Sequence, residues 1–177
     1  HGKTIFPSQT MTKYGFIRQN EDYVGFDPLR IWINEAHKRG IKVHIWFETF
    51  YVGNKPPETI AGYILAKKPE WANYQKKNAD SDTIAYSVSE HNGYFIDPAN
   101  PEVQNFLYEL LCEIITRYKP DGINLDYIRY PQSLDTIYSN YDMSNWGYTK
   151  YARDEFFKMY GVDPIELKFT DPLWYQW

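Results

Sequence analysis

Two short apolar segments, residues 41–48 and 122–126, restrict the fold more than anything else in the chain. Each begins where a helix has just been stopped, and each ends on a carboxylate. Ahead of the first, Asp27 is a good N-cap, Pro28 suits the first helical position, and Gly40 ends the helix after Lys38 and Arg39. Leu29, Trp32, Ile33 and Ala36 give that helix one buried face. Ahead of the second, a helix opens at Asn100-Pro101 and stops before Pro120. Its stripe of Val103, Phe106, Leu107, Leu110, Leu111, Ile114 and Ile115 follows helical spacing. Strands that alternate with helices predict parallel pairing through crossover connections, an α/β architecture. The chain has 177 residues, whereas a closed eight-stranded α/β barrel takes about 250. Two strands do not close a barrel. The expectation is therefore a partial one, truncated at both ends, with another chain completing the sheet as the alternative.

The remaining elements read less sharply. The first 26 residues are expected to be loop, residues 57–68 a helix closed by Pro69, and residues 73–92 a long loop with a short hairpin. A last helix is predicted over 148–160, capped near Ser144 and stopped by Gly161. Net charge is −4 with 24% charged residues, so no basic footprint points to nucleic acid or an anionic membrane. No run is long and apolar enough to span a bilayer. The opening His1-Gly-Lys-Thr lacks the form of a signal peptide, and composition does not reveal the compartment. Cys112 is the sole cysteine, which excludes an internal disulfide and a cysteine-rich metal site. Aromatic residues reach 19%, with 17 Tyr and 6 Trp. Most are expected to fill core, but aromatic faces also stack on sugar rings.

In parallel α/β proteins the chemistry gathers at the carboxyl ends of the strands. Asp126 ends an apolar strand there and is the catalytic candidate. As a costly charge, it would need partners such as Tyr127 and Arg129. The structural alternative is a helix cap or an ion pair with Arg129. Glu48 is the second acidic strand end, expected first as a substrate ligand and second as a catalytic partner. His44 and Trp46 share one side of their strand, and Asn124 shares a side with Asp126. All three are candidate substrate contacts, as are Tyr127, Arg129 and Tyr130 in the loop that follows. A single histidine without a His-x-x-x-His partner predicts no metal, and no cofactor is expected.

These segments carry a resemblance. Phe6-Pro-Ser8, Gly25-Phe-Asp-Pro-Leu29, Glu35-Ala-His-Lys-Arg-Gly40 and Val43-His-Ile-Trp46 resemble the glycosyl-hydrolase-like family-10 group. So do Pro69-Glu-Trp71, Asp97-Pro98, Pro101-Glu-Val103 and Asp121-Gly-Ile-Asn-Leu-Asp-Tyr-Ile-Arg-Tyr-Pro131. The ordered series spans roughly residues 5–131. It implies part of a (β/α)8 TIM barrel, holding about the third and fourth strands as one partial domain. It also implies an extracytoplasmic bacterial enzyme acting on cell-wall glycan or a related polysaccharide, with Asp126 matching the family's strand-end aspartate. Many relatives carry a second acid directly after it, where this chain has Tyr127. Glu48 stands where many relatives carry Asn, which favours substrate contact. A barrel that binds glycan without cutting it is the competing expectation. A remnant that self-associates through exposed sheet edges is a further one.

Overall fold

The computed structural model describes residues 2–59, 64–132 and 145–177. Hydrogen bonding, more than hydrophobic period, starts the first helix, α1 (Gln9–Lys13). Ser8 caps it by accepting from the Met11 N–H at 3.0 Å. The Glu113 carboxylate, from much later in the chain, accepts from the Ser8 hydroxyl and from the N–H groups of Gln9 and Thr10 at 2.7–2.9 Å. Five residues are too few to display a helical period, so the expectation of loop over the first 26 residues is corrected here.

Helix α2 (Pro28–His37) forms as its caps dictate, with Asp27 accepting from the Arg30 N–H at 3.1 Å. Leu29 and Ile33 are buried, but Trp32, assigned to the same face, is 55% exposed. Strand β1 (His44–Glu48) follows. Helix α4 (Pro101–Tyr118) lies beyond the short α3 (Ile64–Lys67), and it leads into strand β4 (Gly122–Asp126). Its stripe is buried at Val103, Phe106, Leu107, Leu110 and Ile114 and runs on to Tyr118, while Leu111 is half-buried and Ile115 turns outward. β1 and β4 pair in parallel as expected, with His44 opposite Gly122, Trp46 opposite Asn124 and Glu48 opposite Asp126. Ile45, Phe47 and Ile123 pack against the main core, to which α4 contributes the most residues. His44, Trp46 and Asn124 lie exposed on the opposite face. A Cβ at Gly122 would come within 2.7 Å of the exposed His44 ring, so any other residue there would push that ring aside. The architecture around β1 and β4 is parallel α/β.

Two further strands were not foreseen. β2 (Tyr51–Gly53) and β3 (Tyr94–Phe95) pair antiparallel, Tyr51 facing Phe95, and Ile96 donates to the Phe50 carbonyl at 2.9 Å. This small sheet sits just past the carboxyl end of β1. Residues 73–92 hold two 3-10 turns, Lys76–Asn78 and Val88–Glu90, and a bridge between Ser87 and Gly93 closes a tight turn through left-handed His91 and Asn92. The helix expected over 57–68 is instead a 3-10 turn at Pro57–Thr59 and the single turn of α3, with 60–63 outside the described residues. The last helix, α5 (Lys150–Tyr160), is capped by Thr149 and stopped by Gly161. The predicted cap near Ser144 lies outside the described residues. α5 builds a second cluster from Tyr148, Phe156, Leu167 and Trp174. Among the described residues, no helix is long and apolar enough to cross a membrane, and no group of three or more His, Cys, Asp or Glu side chains could hold a metal.

Candidate active site

The parallel register brings both acidic strand ends together. Glu48 and Asp126 are Cα partners, which sets their backbones about 4.8 Å apart, the ordinary spacing of neighbouring strands. Asp126 is held by two donors, neither of them Arg129. Its Oδ2 accepts from the Trp46 indole N–H at 2.8 Å, and its Oδ1 accepts from the Tyr127 backbone N–H at 2.7 Å. Its carbonyl accepts from the Thr49 N–H at 2.8 Å, so strand pairing continues to the edge of the site.

Immediately after Asp126 the chain turns sharply, with Tyr127 in the left-handed region at φ +49°. That conformation is unfavourable for a residue with a Cβ. Aromatic packing holds it: the Tyr127 ring stacks on Tyr51 at 4.9 Å and 28°, and Phe95 lies 6.0 Å away. The unforeseen β2–β3 pair therefore serves the site by carrying the rings against which Tyr127 rests. Arg129 covers Tyr127 at 5.2 Å and donates to Glu90 at 2.6 Å. The Glu90 bond raises the Arg129 guanidinium further above its ordinary value. Burial pushes the Glu90 carboxyl up, but the bonds from Arg129 and from the Gln132 N–H outweigh it and leave it below the usual range.

Of the predicted residues, His44, Trp46, Glu48, Asn124 and Asp126 share one sheet face, rising toward the carboxyl ends in that order along each strand. Trp46 is 71% exposed, so its ring is free to meet a ligand while its N–H engages Asp126. Tyr127 and Arg129 flank the strand end. Tyr130 turns instead toward Gly147, whose Cβ position would lie 3.3 Å from its ring, and desolvation together with the Asp97 carboxylate pushes its hydroxyl up to about 12. Sequence reasoning missed Glu90, Tyr51 and Phe95. The one available hint was that Tyr51 lies in the short segment just after β1.

An acid pair at the carboxyl end of a parallel sheet, beside an exposed indole, suits a ligand rich in hydroxyls with an apolar face. The model of a family described as glycosyl hydrolase-like 10 matches residues 1–177. Glycosyl hydrolase DigH of Escherichia coli (strain K12) is 33% identical over 139 residues, covering 75% of this chain and 29% of the relative. Glycosyl hydrolase YngK of Bacillus subtilis (strain 168) is 27% identical over 116 residues, covering 62% and 19% respectively. The chain thus spans less than a third of the length of these curated relatives. Among solved structures, the galactosidase domain of the alpha-galactosidase-sucrose kinase AgaSK aligns with a TM-score of 0.47 at 20% identity, covering 81% of this chain and 18% of that one.

Proposed function

The chain belongs to the glycosyl hydrolase-like 10 family, and we propose that it supplies part of the catalytic face of a glycoside hydrolase, with Asp126 as one of two essential carboxylates. The observation that carries this reading is the orientation of Asp126. It stands at the carboxyl end of β4, beside Glu48, with both oxygens accepting from fixed donors. Such preorganisation is what proton transfer or nucleophilic attack at a glycosidic bond requires. Trp46, His44 and Asn124 would line the path of the sugar, Glu48 would bind its hydroxyls, and Tyr127 and Arg129 would border it. The second carboxylate would come from a part of the barrel beyond these two strands. Cell-wall glycan or a related polysaccharide in the bacterial envelope is the substrate class that the family resemblance supports.

Replacing Asp126 by Asn in the full natural protein tests this directly. Product release from defined glycan strands, followed by mass spectrometry, should fall about 10²- to 10⁴-fold, the usual worth of a positioned acid–base group. Unchanged turnover in a folded Asp126→Asn protein would remove the assignment. Retention of glycan without cleavage, by the native protein, would identify a binding barrel; Tyr127 in the place of a second acid favours that reading.

A further inference from the structure

Glu90 touches neither Asp126 nor the face on which a sugar would lie, yet the loop that leaves Asp126 is tied to it. The loop starts with Tyr127 in a left-handed conformation and runs through Arg129 to Gln132. Glu90 is buried, and its Oε1 accepts from Arg129 Nη1 at 2.6 Å and from the Gln132 N–H at 3.3 Å. Its neighbour Ser89 donates its hydroxyl to the Gln132 carbonyl at 2.8 Å. The 3-10 turn Val88–Glu90 therefore grips this segment at Arg129 and again at Gln132. The grip reaches Asp126 through one more residue. Arg129, held by Glu90, lies over the Tyr127 ring at 5.2 Å, and Tyr51 stacks against that ring at 4.9 Å. Tyr127 is thus clamped between a cation and an aromatic ring. Its backbone N–H is the 2.7 Å donor to Asp126 Oδ1. Any relaxation of the left-handed turn would swing that N–H and free the carboxylate to rotate.

We infer that Glu90 is a positioning residue for Asp126: through Arg129 and Tyr127 it sets the rotamer in which Asp126 receives the Trp46 indole. An ion pair whose Arg129 side is 43% exposed adds little to global stability, and this one joins two loops, so its role is local geometry. The inference rests on the reading of Asp126 as a working carboxylate. Its primary measurement, however, needs no substrate.

Trp46 reports on Asp126 because its indole N–H, on a side chain 71% exposed, is engaged by Oδ2. In the full natural protein labelled at its indole nitrogens, Trp46→Phe identifies the signal, and Asp126→Asn defines the shift when the carboxylate is lost. In Glu90→Gln, the Trp46 N–H should exchange with solvent about tenfold faster, the scale of a released charge-assisted hydrogen bond. Its signal should move toward the Asp126→Asn position, and Glu90→Asp should recover part of both changes. Hydrolysis should lose kcat while KM holds. A folded Glu90→Gln protein whose Trp46 signal and exchange match the wild type overturns the inference, whatever its melting temperature. Should Glu90→Gln fail to fold, Arg129→Lys decides by the same readout, since it keeps the charge but loses the guanidinium face over Tyr127. Turnover that survives Asp126→Asn, alongside a Trp46 signal released by Glu90→Gln, would leave the positioning role standing and remove the hydrolase reading. The reverse pattern would do the opposite.

Discussion

Trp46 is bifunctional at the level of atoms: its ring faces solvent, and its N–H is spent on Asp126 at 2.8 Å. Trp46→Phe keeps an aromatic face and deletes only the donor. A hydrogen bond to a charged group contributes about 1.5–3 kcal/mol, so kcat on glycan should drop by roughly 10- to 150-fold. The melting temperature should hardly change, because an exposed ring adds little to the core. A variant that keeps kcat and loses only substrate affinity would show that the indole serves as a stacking platform alone. The residue types of this site were legible in the sequence, since strand alternation alone put His44 and Trp46 on one side of their strand and Asn124 with Asp126 on one side of theirs, and Glu48 and Asp126 were read as the acidic strand ends. Their partners were legible only in part. Asp126 was expected to lean on Tyr127 and Arg129; the Tyr127 backbone N–H does donate to it, but Arg129 is drawn away by Glu90, a residue in a polar stretch with no period to mark it. A pairing of side chains 39 positions apart leaves no local trace.

Elements whose signals are local came out nearly as read: the caps of α2 and α4, the apolar run of β4, and the pairing of β1 with β4. The β2–β3 pair escaped because strands of three and two residues carry no alternation, and because pairing depends on a partner some forty residues away. α5 shows the same dependence. Its cap, Thr149, donates its hydroxyl to Asp97 at 2.6 Å, and Asp97 is buried, with the Ala99 N–H as a second donor at 3.0 Å. Desolvation dominates those two bonds and raises the Asp97 carboxyl above its ordinary 3.8. A raised carboxyl favours the fold when protonated. Its contribution is therefore complete below 3.8 and is lost as pH rises through the higher folded value. Asp97→Asn retains an acceptor for Thr149 and carries no charge. Relative to wild type, its unfolding free energy from urea titration should be most favourable at pH 7, by a margin on the order of 1 kcal/mol, and should lose that advantage as pH falls below 3.8. A stability difference that stays flat across this range would mean that Asp97 is not charged against its surroundings.

At the scale of the whole chain, the sheet at the centre of the site is also its least finished part. Among the described residues, β1 and β4 pair only with each other, so each leaves one edge of backbone donors and acceptors unmatched within the sheet. Apolar surface accompanies those edges: Leu125, on the face of β4 whose Ile123 packs into the core, is 39% exposed, and Ile41, just ahead of β1, is 57% exposed. Unmatched edges beside apolar surface are the condition under which chains add to one another. The 177 residues taken alone should therefore sediment with an average mass above 21.1 kDa that climbs with concentration. Leu125→Lys should lower the association by placing a charge beside the open edge, the device by which natural edge strands avoid pairing. Tyr175→Lys, at a side chain 75% exposed near the chain's end, should not. A single 21.1 kDa species at every concentration would mean that residues within this chain already cover the edges. Association insensitive to Leu125→Lys would place the contact elsewhere, with the exposed Phe157 and Met159 of α5 as the surface to test next.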